Sequence, residues 1–479
     1  MQGDFDRISF NAQDRFASVL LQQGRLLLPS EFNAQSAIHH HFLRAFIKDF
    51  VGRAWRPQGQ FTISTDGTST LRLMIGKGHF YVDGILCENH VECSYAKQPF
   101  APTGQDAEEV EDLDGTEGAL YIDCWERHVT WLQQASLREP ALGGPDTTTR
   151  VQIAWQVRVL AKPGVADHLG LIKDAYGARL KVATTTEEKT AITDRITALG
   201  NLIDGFDGLT CPNVAKVIDA LDDARPRMVA DAKRDDEQPD PCAIAAESEY
   251  RGRENQLYRV EIHRSGLEGK ATFKWSRENG AVAFKVLHVE TENPADPAKA
   301  TTRLLLESLG RDRRTGLCVG DWVELSDDHS EFAWQALPLL RVLSIDPQRR
   351  AVTLQGALAP LVSPAKHAIA RRWDHKGDPD AGGAIPVSES PDDIGWIELE
   401  RGVRVRFLPG GLCRRGDYWL VAARAITGDV DWPMDGKARR PLEPMGIVHH
   451  RASLGIVTKV SEKWGVSKEC ACEVKPKCP

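Results

Sequence analysis

Residues 120–157 read LYIDCWERHVTWLQQASLREPALGGPDTTTRVQIAWQV, and the fold class turns on how this run is read. Asp123, Glu126, Arg127, His128, Arg138 and Glu139 are the side chains an acid–base site would use. The flanks, however, alternate. Between 149 and 161, Val151, Ile153, Trp155, Val157 and Val159 occupy every second position, the period of a strand with one buried face. Residues 119–132 form a second strand, with Tyr121, Asp123, Trp125, Arg127, Val129 and Trp131 on one side. Leu120, Ile122, Cys124, Glu126, His128 and Thr130 fall on the other, and neither side is wholly polar. Gly143-Gly144-Pro145-Asp146 supplies turn chemistry between the strands. The run therefore predicts two strands and a corner. Glu126 with His128, as a base and its partner, and Asp123 with Arg127, as an ion pair, are the pairings it offers. A glycan-cleaving site would need two carboxyls facing each other across a cleft, which spacing in one strand does not supply.

Working outward, residues 60–97 keep the two-residue period. Asp66-Gly67 and Asp83-Gly84 interrupt it as hairpin turns, and the region 60–161 is expected to be an antiparallel β-domain. Upstream, Ser30 precedes EFNAQSAIHHHFLRAFIKDFVG, where Ile38, Phe42, Phe46 and Phe50 fall on one stripe and Gly52 stops the pattern. This is an amphipathic helix. His39, His40 and His41 fan around it, unlike the i, i+4 pair that a metal prefers. Downstream, Thr184 and Thr185 stand at capping-box spacing before Glu187 and Glu188. Ile192, Ile196, Leu199 and Ile203 then follow at helical spacing, and Val214, Val217, Ile218 and Leu221 mark a further short helix.

The β-pattern resumes at Tyr258, Val260 and Ile262. Asn279-Gly280, between Phe273/Trp275 and Val282/Phe284/Val286, predicts a hairpin whose tip carries Arg277, Glu278 and Asn279. Residues 317–356 read as a small barrel, and 395–427 as a last β-block with Ile397, Leu399, Val403, Val405 and Phe407 on its apolar face. The fold class expected is mainly β and multi-domain: antiparallel sheets and small barrel or sandwich units, with an N-terminal helix and a helical insertion. The segments are an arm and helix (1–55), a β-domain (56–164), a helical insertion (165–224), a linker (225–257), a β-hairpin domain (258–316), a barrel-like unit (317–394), a C-terminal β-domain (395–458) and a cysteine-containing tail (459–479).

The 479 residues carry a net charge of −8, which disfavours nucleic acid as the main partner, because phosphate binding needs a basic patch. No run of ~18 apolar residues is present, so no membrane span is expected. The start, MQGDFDRISF, lacks a basic, apolar leader, and synthesis in a cytoplasm is expected. No phosphate-binding loop, dinucleotide fingerprint, nucleophile elbow or zinc-protease motif occurs, and no catalytic residue is assigned. Asp429 and Asp431 read as solvated acids, with a hard cation as the alternative. Of the ten cysteines, Cys87, Cys93, Cys124, Cys211, Cys242, Cys318 and Cys413 are scattered singly, and most are expected to be reduced. Cys470, Cys472 and Cys478 cluster at the end, downstream of His449 and His450. Three readings stay open for them: a tetrahedral zinc site completed by a histidine, a disulfide, or free thiols in a frayed tail.

Several stretches together resemble a bacterial family of uncharacterised proteins. They are MQGDF, LLQQGRLLL with EFNAQ, CWERHVT, LREPALGGPDTTTR, YRGRENQLYRVEIH, TFKWSRENG, GDWVEL, and GDYWLVAAR with TGDVDWP. Members are similar to components encoded beside phage-tail-like contractile injection systems, and the resemblance spans residues 1–458. It implies a structural component of the baseplate, spike or fibre region, assembled with other particle subunits and with copies of itself, and released with the particle. Residues 1–55, with Phe42 and Phe46, would then dock, and the hairpin tip Arg277–Asn279 would meet a partner. The competing reading is a tail protein that binds or cleaves envelope glycans.

Overall fold

The computed structural model describes residues 2–6, 10–101, 116–205, 209–232, 250–293, 296, 299–358, 362–376, 382–391, 395–436 and 438–475. The chain is mainly β, with several sheets, a closed six-stranded barrel and a few helices arranged around separate cores.

The run that opens the sequence reading lies in the middle of a four-stranded antiparallel sheet. Strand Glu117–Val129 pairs with Arg150–Leu160, from Ala119 opposite Leu160 to Val129 opposite Arg150. Its other edge takes His449–Val460, which in turn pairs with Lys463–Glu469. Residues more than 300 positions apart thus complete one sheet. Both faces of that sheet are covered. Leu120, Ile122 and Cys124 pack with Phe61, Phe80 and Trp155, whereas Ala119 and Tyr121 pack with Leu169, Leu199 and Val217 of the helical segment. A sheet packed on both sides has no wet face to alternate against, which is why neither side of 119–132 is purely polar.

Two of the expected turns behave differently. At Asp83-Gly84, Val82 faces Ile85 directly and the two φ values are 49° and 80°, a two-residue turn of the primed kind. At Asp66-Gly67, Thr65 pairs with Leu73, so residues 66–72 form a longer loop. The third turn corrects the sequence reading. Asn279 and Gly280 adopt φ of 51° and 67°, and the Ala281 N–H donates to Glu278 O at 2.9 Å, so the turn itself forms. The strands beside it do not pair with each other. Thr272–Ser276 lies in a five-stranded sheet between Gln256–Arg264 and Ile385–Pro386, and Ala283–Glu292 belongs to the barrel. Each strand has other partners on its edges, and the expected hairpin is a corner where the chain changes sheet. The barrel runs in the order 283–292, 301–306, 351–355, 339–346, 322–326, 369–373, with Val286, Leu304, Val323, Val342, Leu354 and Ala370 filling it.

The helices are α1 (Pro29–Phe50), α2 (Lys162–Val182), α3 (Thr186–Asp204), α4 (Cys211–Ala220) and the short α5 (Asp328–Phe332). Thr185 caps α3 by accepting the Glu188 N–H, as its spacing predicted. Among the described residues no helix is long and apolar enough to cross a membrane.

Candidate functional site

Helix α1 is held to the body at few points. Ile38 is its one buried large apolar side chain, Arg44 pairs with Glu126, and the turn at Gly84 lies against the Arg44 backbone. The stripe that the sequence picks out faces two ways: Ile38 goes inward, while Phe42, Phe46 and Phe50 point away from the body, and Phe46 and Phe50 stack on each other with ring centroids 5.6 Å apart. The segment before the helix behaves alike. All five exposed phenylalanines among the described residues (Phe16, Phe32, Phe42, Phe46 and Phe50) lie within residues 16–50, at 53% to 79% exposure. Leu20, Leu21, Leu26, Leu27, Leu28 and Leu43 join them. All of them lie within residues 16–50, and exposed apolar groups gathered in this way mark interaction sites.

Just upstream, residues 2–6 turn inward. Gly3 makes two hydrogen bonds to the corner at Asn279, one to its backbone and one from its side chain: the Gly3 N–H donates to Asn279 O, and the Gly3 carbonyl accepts from Asn279 Nδ2, each at 3.0 Å. The Gln2 carbonyl accepts from His128 Nδ1 at 2.5 Å, and Gln2 Nε2 donates to Glu261 at 2.5 Å. A Cβ on Gly3 would fall 2.3 Å from the His128 ring, so only glycine passes there. Asp6 then accepts the Ser30 N–H at 3.1 Å, tying this arm to the first turn of α1, where a carboxylate also meets the positive end of the helix.

The arm closes over a buried charge network. Lys274 Nζ lies 3.2 Å from Glu261 and 2.6 Å from Glu324, and Trp373 Nε1 donates to Glu324 at 2.9 Å. Arg259 Nε donates to Glu261 at 2.5 Å, and its Nη1 to Asn279 Oδ1 at 3.1 Å. Beside the network is a cavity of about 120 Å³, lined among others by Glu126, Arg127, His128, Arg371 and Arg415. Burial alone would raise the Glu261 carboxyl, but the Arg259 guanidinium and Lys274 ammonium outweigh it and hold it at about 2. Glu324 is likewise pushed down against its burial, by Lys274, His263 and Arg415. Burial lowers His263 to about 3 and His128 to about 4. Acid–base chemistry between two carboxyls needs their affinities for protons pushed apart. Here both are kept ionised around one shared ammonium, an arrangement suited to holding three segments together.

Of the residues singled out from sequence, Glu126, Arg127 and His128 share the wall of this cavity, each held by a partner, and the others are dispersed. Glu126 is taken by Arg44, and His128 by Gln2. Arg127 pairs with Asp328 at 3.2 Å rather than with Asp123, whose carboxylate instead receives His449 Nδ1 at 2.8 Å and Arg451 Nε at 3.3 Å. His450 Nδ1 bonds Asp83 at 2.9 Å. The tip residues contact this chain itself: Arg277 pairs with Asp374 and Glu400, Glu278 with Arg314, and Asn279 with the arm. Asp429 pairs with Arg439, and Asp431 with Arg424. Cys470 forms a disulfide with Cys211 at the start of α4, which matches the disulfide reading for this tail residue and sets Cys211 apart from the reduced cysteines. A disulfide sulfur has no thiolate to offer a metal, so Cys470 does not fit a zinc site with His449 and His450, which are bound to carboxylates. Cys472 is free and exposed, and Cys478 lies outside the described residues. Sequence reasoning missed Glu261, Lys274 and Glu324. The one trace of them is that Arg259, Glu261 and His263 alternate with Tyr258, Val260 and Ile262.

With this geometry in hand, comparison with known proteins gives one firm result. The model of a family described as a family of unknown function (DUF6519) matches residues 1–479. The chain belongs to that family. A crystal structure of TssK is similar over 82% of this chain and 99% of that chain, at 8% identity and a TM-score of 0.18; at those values the likeness carries no argument. No curated protein matches. For this DUF6519 chain, the functional reading rests on its own surface.

Proposed function

We propose that the protein is a structural subunit that assembles by burying residues 16–50 against a second copy of itself. The observation that carries this is the unpartnered apolar surface of α1 and the segment before it, which holds every exposed phenylalanine among the described residues. Residues 16–50 carry Arg25, Arg44 and Lys48 against Glu31 and Asp49, so charge does not set two copies apart. A two-fold contact needs one patch that fits itself, and here an extended apolar segment lies next to an apolar helical stripe that the same segment of a copy could cover. The sequence resemblance supports placing such an assembly in a phage-tail-like contractile injection system, at the baseplate, spike or fibre region. The inward-facing tip residues and the arm then serve as the frame that presents α1.

Light scattering on the full chain tests the reading. The wild type is expected to gain mass with concentration through the micromolar range, and Phe42→Asp/Phe46→Asp to stay a monomer with an unchanged thermal midpoint. Equal masses for the two proteins at every concentration would rule the interface out.

A further inference from the structure

The strand Lys463–Glu469 and the segment Cys472–Val474 meet at a bend in the chain at Ala471, with Cys470 just before it and Cys472 just after. One buried side chain holds both arms of the bend. Arg56 is 4% exposed, and its Nη2 donates to Glu469 at 2.7 Å and to Glu473 at 2.9 Å. Beyond the bend, Cys472–Val474 pairs with Ala54–Pro57, and before it the Cys470 N–H donates to Leu454 O at 2.9 Å. Backbone and ion pairs therefore fix Cys470 and Cys472 beside each other without help from any sulfur. Positions two apart are separated by at most about 7 Å of extended chain, and by less across a bend. A disulfide accepts Cα atoms about 4.4–6.8 Å apart.

The three sulfurs here differ in standing. Cys472 is free and exposed. Cys470 is bonded to Cys211, and both are only half-buried, so this disulfide is open to attack. Cys211 is the first residue of the ten-residue helix α4. A helix start favours negative charge on a sulfur, which suits Cys211 to be the sulfur that leaves when its bond is broken. A free thiol, a half-exposed disulfide two residues away and a favoured leaving sulfur are the parts that thiol–disulfide exchange needs.

We propose that Cys211, Cys470 and Cys472 form an internal thiol–disulfide exchange site. The Cys472 thiolate attacks Cys470 Sγ. The Cys470–Cys472 bond forms, the Cys211–Cys470 bond breaks, and the electron pair leaves on Cys211 Sγ. Cys472 gives up its proton to solvent and Cys211 takes one back, so nothing is oxidised or reduced overall. The attack is favoured because attacker and target are neighbours in one bend rather than separate molecules. Exchange moves the one disulfide from a link between α4 and the end of the chain to a link inside the bend. Helix α4 then loses its covalent fastening, while Cys472–Val474 stays paired with Ala54–Pro57. This function is separate from assembly, since none of the three cysteines belongs to residues 16–50.

Mapping the thiols of the full chain provides the test. Protein purified without reductant is held at about pH 8, where thiolate is available, labelled with N-ethylmaleimide, quenched in acid and digested with trypsin for mass spectrometry. Label is expected on Cys472 in some chains and on Cys211 in the rest, and on Cys470 in none. Chains labelled at Cys211 should release the peptide 469–477 carrying its own disulfide. Cys472→Ser, at an exposed position, should lower the label on Cys211 by about tenfold or more, because no neighbouring thiol remains to displace it. Cys478→Ser should leave the wild-type pattern unchanged. The proposal is overturned if the wild type carries label on Cys472 and not on Cys211, if label reaches Cys470, if Cys211 is labelled as well in Cys472→Ser as in the wild type, or if its label disappears in Cys478→Ser.

Discussion

Lys274 is the residue whose loss should be felt most. It is buried between Glu261 and Glu324, and removing one partner of a buried ionic group leaves uncompensated charge, at a cost of about 3–5 kcal/mol. Lys274→Met is expected to lower the unfolding free energy by that amount in urea titrations. The same network sets a pH dependence. Burial pushes His128 and His263 below their ordinary 6.5, to about 4 and about 3, so the unfolded chain takes up those protons first on acidification. Glu261 and Glu324, held below their ordinary 4.5, act in the same direction at lower pH. The stability these groups contribute is complete above about pH 6.5 and falls as pH drops toward 3. Urea midpoints should therefore decline steadily from pH 7 to pH 4, and a flat or rising profile would contradict the assignment. Little of this was legible beforehand. Arg259, Glu261 and His263 alternate as the polar face of a strand does, and alternation says that a face is polar, not whether water or a second set of charges covers it.

Among the elements, α1 was the most legible and the most misleading. Its periodicity and its end near Gly52 follow from local sequence, whereas its start lies two residues earlier than expected from Ser30, and the helix spans Pro29–Phe50. Amphipathicity normally implies that the apolar stripe faces the core, yet Phe42, Phe46 and Phe50 face outward. The helix is oriented instead by polar tethers, Asp6 to Ser30 and Arg44 to Glu126, which no periodicity encodes. Asp6→Ala should cost roughly 1 kcal/mol, the scale of a lost helix-start acceptor, and should speed hydrogen exchange in the first turn of α1. If exchange there is unchanged, the arm does not hold the helix. The Asn279-Gly280 corner teaches a similar lesson. Its turn residues specify φ above zero, and the chain delivers that, but each strand pairs elsewhere: Thr272–Ser276 with the strand before it and with Ile385–Pro386, Ala283–Glu292 with the strand after it and with Ile369–Trp373.

At the level of the whole molecule, the mainly β, multi-piece character followed from the two-residue periods, whereas the joining of chain ends did not. Strand His449–Val460 completes the sheet begun at Glu117, and the segment Cys472–Val474 pairs in parallel with Ala54–Pro57. Such long-range closure leaves no mark in local pattern. The Cys211–Cys470 disulfide fastens the same closure across a separation of 259 residues. Cys211→Ser should therefore destabilise the oxidised protein by about 2–4 kcal/mol and leave the reduced protein unaffected, as thermal unfolding with and without reductant would show. Closed by its own ends in this way, the body leaves residues 16–50 as its large uncovered apolar surface. Hydrogen–deuterium exchange of the full chain, followed as concentration is raised through the micromolar range, measures what happens to that surface. Protection is expected to grow across residues 16–50, with the Arg277–Gly280 corner unchanged; exchange in 16–50 that is the same at every concentration, or protection gained only on the β-body, would contradict assembly through α1.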